Sequence, residues 1–274
     1  MTELVSEGGR RIRLRGSLVE LWGYRSVVVA FAERHIRVKY KQAVFGVAWA
    51  VIQPLAFMTV FTVALGRMAG VEGGGAPYAA FSLSALVGWT LLQNGVSDGA
   101  STLVDDSTLL RKVYFPREVP VLGSQLAVGV DFAIGLALFV IIGPFLGAQV
   151  SFAWLLAPVL AVGLLLLGTG VSLLLAGLTV YYRDFRHALP FLLQLWLFAS
   201  PVAYPLTVVP ENWQFLYVAL NPAAGLLDGF RRVLALGVLP DPGVLLASTA
   251  GTIVVLGVGY RLFKTLEPNF ADVV

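Results

Sequence analysis

The stretch "VPVLGSQLAVGVDFAIGLALFVIIGPFL", about Val119 to Leu146, carries one charge, Asp131, and otherwise reads as grease. A helix needs about 20 largely apolar residues to cross the hydrocarbon of a bilayer. Five further segments qualify: about Ala43 to Leu65, Tyr78 to Val96, Trp154 to Tyr181, Ala188 to Val209, interrupted by Pro201 and Pro205, and Val244 to Phe263. With 58% hydrophobic and 13% charged residues, the chain has more apolar surface than one water-soluble core could hide. The expected fold class is an all-α integral membrane protein with six transmembrane helices. There are no cysteines, so thiol chemistry and thiolate metal sites are excluded.

Charge gives the orientation. With six spans and an inner N-terminus, 16 of the 19 Lys and Arg fall on inner segments, and only Arg67, Arg231 and Arg232 fall outside. That bias predicts that both termini are cytoplasmic. The first thirty residues are too charged for a signal peptide. "SLVELWGYRSVVVAFAERHIRVKYK" instead reads as amphipathic helix on the membrane surface, with Arg34, Arg37 and Lys41 on one side and Ile36, Tyr40 and Val47 on another. This cationic collar pins the entry to the first span beside anionic headgroups. The divisions are an interface segment over 1–42, a transmembrane domain over 43–267 and a cytoplasmic tail over 268–274.

Two connections exceed what a turn needs. The inner "DDSTLLRKVYF" places Asp105 and Asp106 at a helix start and Arg111 and Lys112 near its end, which complements the helix dipole. Its apolar side chains, Leu109, Leu110, Val113, Tyr114 and Phe115, suit docking of another protein. The outer "VVPENWQFLYVALNPAAGLLDGFRRVLALGVLPDP" is apolar but broken by Pro210, Asn221-Pro222 and Pro240. It predicts two short helices that dip into the outer leaflet and return, covered by protein or water. Trp213, Phe215 and Tyr217 make it a candidate lid.

"GVEGGGAP" lacks the Lys-Ser/Thr of a phosphate loop, and no nucleotide motif occurs elsewhere. Neither His35 nor His187 has a partner pattern for catalysis, and no paired carboxylates, H-E-x-x-H or G-x-S-x-G appear. A transport role is therefore expected rather than an enzyme. Asp131 at membrane depth is a functional candidate, or a structural one paired with Gln125 or a polar group of a neighbouring helix. Gly168, Ser172 and Ala176, and Gly143 with Gly147, suit close helix contact, inside the chain or across a dimer. Phe45, Trp49, Gln53, Phe57 and Phe61 recur every fourth residue along the first span. Aromatic faces suit sugar rings; the alternative is core packing or lipid contact. Trp89 on the second span joins them as a candidate channel residue.

"RVKYKQAVFGVAWAVIQPL", "LLRKVYFPREVPVLGS", "YYRDFRH" and "LNPAAGLLDGFRRVLALG", in this order, resemble the membrane permease of ABC-2 type polysaccharide exporters, the class that moves O-antigen, capsule or teichoic acid chains. The resemblance covers about residues 17 to 267. It implies a homodimer in the bacterial inner membrane, docked on two copies of a separate ATPase that binds ATP and Mg²⁺; this chain itself would hold no cofactor and no nucleic acid. It implies an interface helix over about 17–41, a coupling helix at "DDSTLLRKVYF", and outer gate helices around Asn212–Leu220 and Ala223–Leu236. The substrate would be a glycan on a polyprenyl diphosphate, its head held by Arg34, Arg37 and Lys41. An ABC-2 exporter of a small lipid, drug or antibiotic would share the same fold; a membrane-bound glycan-processing enzyme and a structural scaffold are further alternatives.

Overall fold

The computed structural model describes residues 21–41, 48–107, 109, 115–182 and 184–270. Among them the fold is all helical, without a strand. We label the α-helices α1 (Arg25–Lys41), α2 (Trp49–Phe61), α3 (Tyr78–Asp105), α4 (Glu118–Ile142), α5 (Ala157–Tyr181), α6 (Asp184–Phe198), α7 (Glu211–Leu220), α8 (Pro222–Leu234) and α9 (Pro242–Leu266). Among the described residues, four stretches are long and apolar enough to cross a membrane: Trp49–Met68, Glu118–Leu146, Phe152–Tyr181 and Pro242–Leu266. The first and last turn exposed rows such as Val60, Val63, Leu246, Ile253 and Val254 outward, as lipid-facing helices do.

The other two expected spans depart from the simple picture. α3 is long enough, but it carries Ser82, Ser84, Gln93, Asn94 and Asp98. It can afford them because it is the central helix, wrapped by α2, α4, α5 and α8. Ser84, Ser101 and Thr102 return their hydroxyls to carbonyls one turn back, which satisfies them without water. The helix therefore continues to Asp105, past the point where hydropathy fades at Val96. α6 stops at Phe198, ahead of Pro201, so the fifth segment does not run as one spanning helix.

Close approach of α3, α4 and α5 depends on small residues. Gln125 donates to the Gly95 carbonyl (2.8 Å) and to Ser172 Oγ (3.1 Å), and Ser172 donates to the same carbonyl (3.0 Å). A Cβ at Gly99 would strike Ser172. The Gly168–Ser172–Ala176 ridge thus serves contact within the chain. The Gly143/Gly147 pair is no helix-contact motif: Gly147 has φ +88° and ends a short 3₁₀ turn against Pro77.

α1 does not lie apart from the bundle. It runs parallel to α4, with Phe31 against Gly123 at one end and Lys39 against Asp131 at the other. Phe31 also packs edge-on against Phe115, 5.4 Å between ring centres. Phe270, expected in the tail, is buried between Phe263 and Tyr181.

At the opposite end, α7 and α8 form the two short helices expected of the outer segment. Asn221 joins them: its side chain donates to the Ala199 carbonyl (3.0 Å) and Ser200 Oγ (2.9 Å) and accepts from Trp196 Nε1 (2.9 Å). α8 is buried along nearly its whole length. Arg231, counted among the outer charges, is buried, ion-paired with Asp228 one turn back, and lies over the Phe81 ring at 4.9 Å.

Candidate functional site

Two adjoining cavities of about 450 and 340 Å³ form one cleft between α1, α2, α3 and α4, sharing Lys39, Tyr40, Asp98 and Asp131. The first is charged: it gathers Arg34 and Lys39 from α1, Asp98 and Asp105 from α3, and Asp106 just past the end of α3. The second reaches toward the middle of the bundle and changes character. Trp49 and Gln53 of α2 face Thr90 and Asn94 of α3, and Phe132 and Gly135 of α4 line the far end. Pro54 also borders it; proline has no amide hydrogen, so the helix leaves the Ala50 carbonyl, on the same wall, without its usual partner.

Asp131 sits where the two cavities meet. Lys39 Nζ is 2.6 Å from its carboxylate, and the Tyr40 hydroxyl donates to it. Its partners come from α1; Gln125 is engaged elsewhere. Burial, and then the hydrogen bond to Asp131, push the Tyr40 phenol above its ordinary range, so it remains a donor at neutral pH. Arg34 is ion-paired with Asp106, whose side chain is buried. Arg37 and Lys41 are exposed and have no ion-pair partner among the described residues.

The aromatic row on α2 divides. Positions four apart drift by about 40° per step around a helix of 3.6 residues per turn. From Trp49 to Phe61 that accumulates to about 120°. Trp49 and Gln53 therefore face the cleft, while Phe57 and Phe61 turn into the bundle, edge-on to each other at 6.2 Å, with Phe61 8% exposed. Phe45 lies outside the described residues. Trp89 is not a cleft residue: it is 1% exposed, edge-on to Trp196 at 6.0 Å, and donates to Gln93 Oε1.

Of the expected docking helix, Leu110, Arg111, Lys112 and Tyr114 lie outside the described residues. Leu109 is half-buried against the apolar cluster around Phe31, Leu103 and Val119, and Phe115 is packed on Phe31, so its ring is a strut rather than an open docking face. In the expected lid, Trp213 and Phe215 are exposed. Tyr217 instead donates to the Ala199 carbonyl (2.7 Å), tying α7 to the end of α6.

Sequence reasoning missed Lys39, Tyr40, Thr90, Asn94, Asp98 and Phe132 as cleft residues. A signal was present: Thr90, Asn94 and Asp98 are spaced by four, which puts three polar groups on one helical face. What the assembled cleft can do is bind hydroxyl-rich and ring-shaped groups, through carboxylates, amides and a hydroxyl on one wall and an indole face on the other.

Comparison with known proteins fits this arrangement. The chain is 28% identical over 254 residues to the O-antigen export system permease protein RfbA of Myxococcus xanthus, covering 92% of this chain and 97% of that protein. It is 23% identical over 248 residues to a protein of the same name from Klebsiella pneumoniae, covering 90% and 94%. The model of the ABC-2 type transporter family matches residues 26–235, from α1 through α8 and so across every wall of the cleft. The chain belongs to the ABC-2 type transporter family.

Proposed function

We propose that this protein is the membrane permease of an ATP-driven polysaccharide exporter and that the cleft between α1 and α4 is where the glycan enters. The observation that carries this reading is the pairing of Trp49 with Gln53, Thr90, Asn94 and Asp98 in one cavity. A polymer must be held loosely enough to slide. Ring stacking tolerates a shift of one sugar along the chain, and scattered polar groups can exchange hydroxyl partners as it moves. Two relatives named as O-antigen export permeases, matched nearly end to end, support the same substrate class.

The rest of the assembly follows from that role. The permease works as a homodimer with six crossings per protomer in the bacterial inner membrane, with both termini in the cytoplasm. Two copies of an ATPase bind ATP and Mg²⁺ and dock near residues 109–115. The substrate is a polysaccharide on a polyprenyl diphosphate. Arg37 and Lys41, exposed and unpaired among the described residues, are its best-placed headgroup ligands, whereas Arg34 would first have to leave Asp106. Trp213 and Phe215 on α7 contribute to the outer closure.

The test is export in proteoliposomes containing this chain and its ATPase. Trp49→Ala is expected to slow glycan export several-fold while the complex stays folded and hydrolyses ATP. Normal export by that variant would remove the cleft from the path.

A further inference from the structure

We propose that Asp98 makes the cleft a charge filter that passes uncharged glycans and holds back polyanionic ones. The inference rests on the reading of the cleft as a glycan path and adds a substrate class to it. Three of the four carboxylates in the charged cavity already have a cation of their own. Asp106 pairs with Arg34, Asp105 with Arg186 at 3.0 Å, and Asp131 with Lys39 at 2.6 Å. Asp98 has only a distant share of that same lysine, at 3.9 Å. His35 lines the same cavity, and its Nδ1 lies 2.8 Å from the Phe31 carbonyl. One carboxylate is therefore left without a close cation, and its position matters: Asp98 lines both cavities and so stands at the passage between them.

A neutral sugar gains from that arrangement. Its hydroxyls donate to the carboxylate in a charge-assisted hydrogen bond, and a new hydroxyl can replace each one that leaves. A sugar bearing a carboxylate or phosphate meets repulsion, strengthened by the low-dielectric walls of the cleft. A polymer with one such group per repeat meets it again at each repeat. The effect on rate thus exceeds what a single encounter would give.

The experiment uses the complex of this chain with its ATPase in proteoliposomes. The probes are two polyprenyl-diphosphate-linked glycans of equal length, one uncharged and one with a uronic acid in every repeat. The parent protein is expected to export the uncharged glycan about tenfold faster or more, the scale of one modest charge–charge contact. Asp98→Asn is expected to bring the two rates within about threefold, and Asp98→Glu to keep them apart. Rates are compared for monodisperse complexes with intact ATP hydrolysis. Equal parental rates, or a ratio unchanged by Asp98→Asn, overturns the filter while leaving the glycan path in place. Failure of the active complex to export either glycan overturns the glycan reading and the filter with it.

Discussion

Helices α1 and α8 each carry cations paired with aspartates, but the two arrangements differ in what they tie together. In α8 the pair is internal to one helix, Asp228 with Arg231, at 5% and 6% exposure, with an aromatic ring stacked on the guanidinium. In α1 the pairs cross between helices, Lys39 to Asp131 and Arg34 to Asp106, with each cation more than two-fifths exposed. An intrahelical pair adds nothing to the position of its helix; α8 is held by the burial around it. A pair between helices positions α1 directly, and water at its cation end makes exchange of partners inexpensive. The α8 end of the bundle is therefore built as a fixed, buried element, and the α1 end as a wall that can shift beside a cleft.

The sharpest way to break that comparison is to orphan the buried charge. Arg231→Met leaves Asp228 buried and unpaired and should cost about 3–5 kcal/mol, read as a lower unfolding temperature in detergent. Adding Asp228→Asn should recover most of the loss. An Arg231→Met protein as stable as the parent would mean that α8 is looser than its burial implies.

Two tryptophans sharpen it further. Trp89→Ala opens a hole in the core and should cost about 3–5 kcal/mol, while Trp49→Ala, at a site 53% exposed, should stay within about 1 kcal/mol and lose export instead. Equal stability losses would place Trp49 in the packing. Next in size, Lys39→Ala should cost about 1 kcal/mol and speed amide exchange along α1 without affecting α8. Exchanging the charges, with Lys39→Asp and Asp131→Lys together, should restore much of the protection. Tyr217→Phe removes a hydrogen bond from α7 and should cost a similar amount, about 1 kcal/mol. Trp213→Ala should change stability by less than about 0.5 kcal/mol and yet raise the resting ion leak of proteoliposomes.

The sequence made the lipid-facing helices plain and the protein-facing ones obscure, for one physical reason. Lipid demands apolar side chains, so Trp49–Met68 and Pro242–Leu266, which bury little inside the fold, stand out by composition. A helix surrounded by protein is free of that demand, so α3 could carry Asp98 well inside the fold while looking from composition like the start of a loop. The breaks at Pro210 and Asn221-Pro222 were readable because proline acts locally. The partners of Asp131 were not, because Lys39 and Tyr40 lie about ninety positions earlier in the chain and reach it only once α1 docks on α4. In the α2 aromatic row the spacing was legible, but which members face the cleft depended on where the neighbouring helices stand.

That the cleft between α1 and α4 is the entrance for the polymer can be measured directly, because the chain has no cysteine and any introduced thiol is unique. Gln53→Cys and Thr90→Cys each place one in the cleft, and Leu246→Cys places one on the outward face of α9. Each variant is assembled with the ATPase and labelled with a small maleimide, with and without lipid-linked glycan under ATP turnover. The account predicts that glycan slows labelling of the two cleft thiols and leaves the α9 thiol unchanged. Labelling of both cleft thiols at the same rate while the glycan is being exported would contradict it.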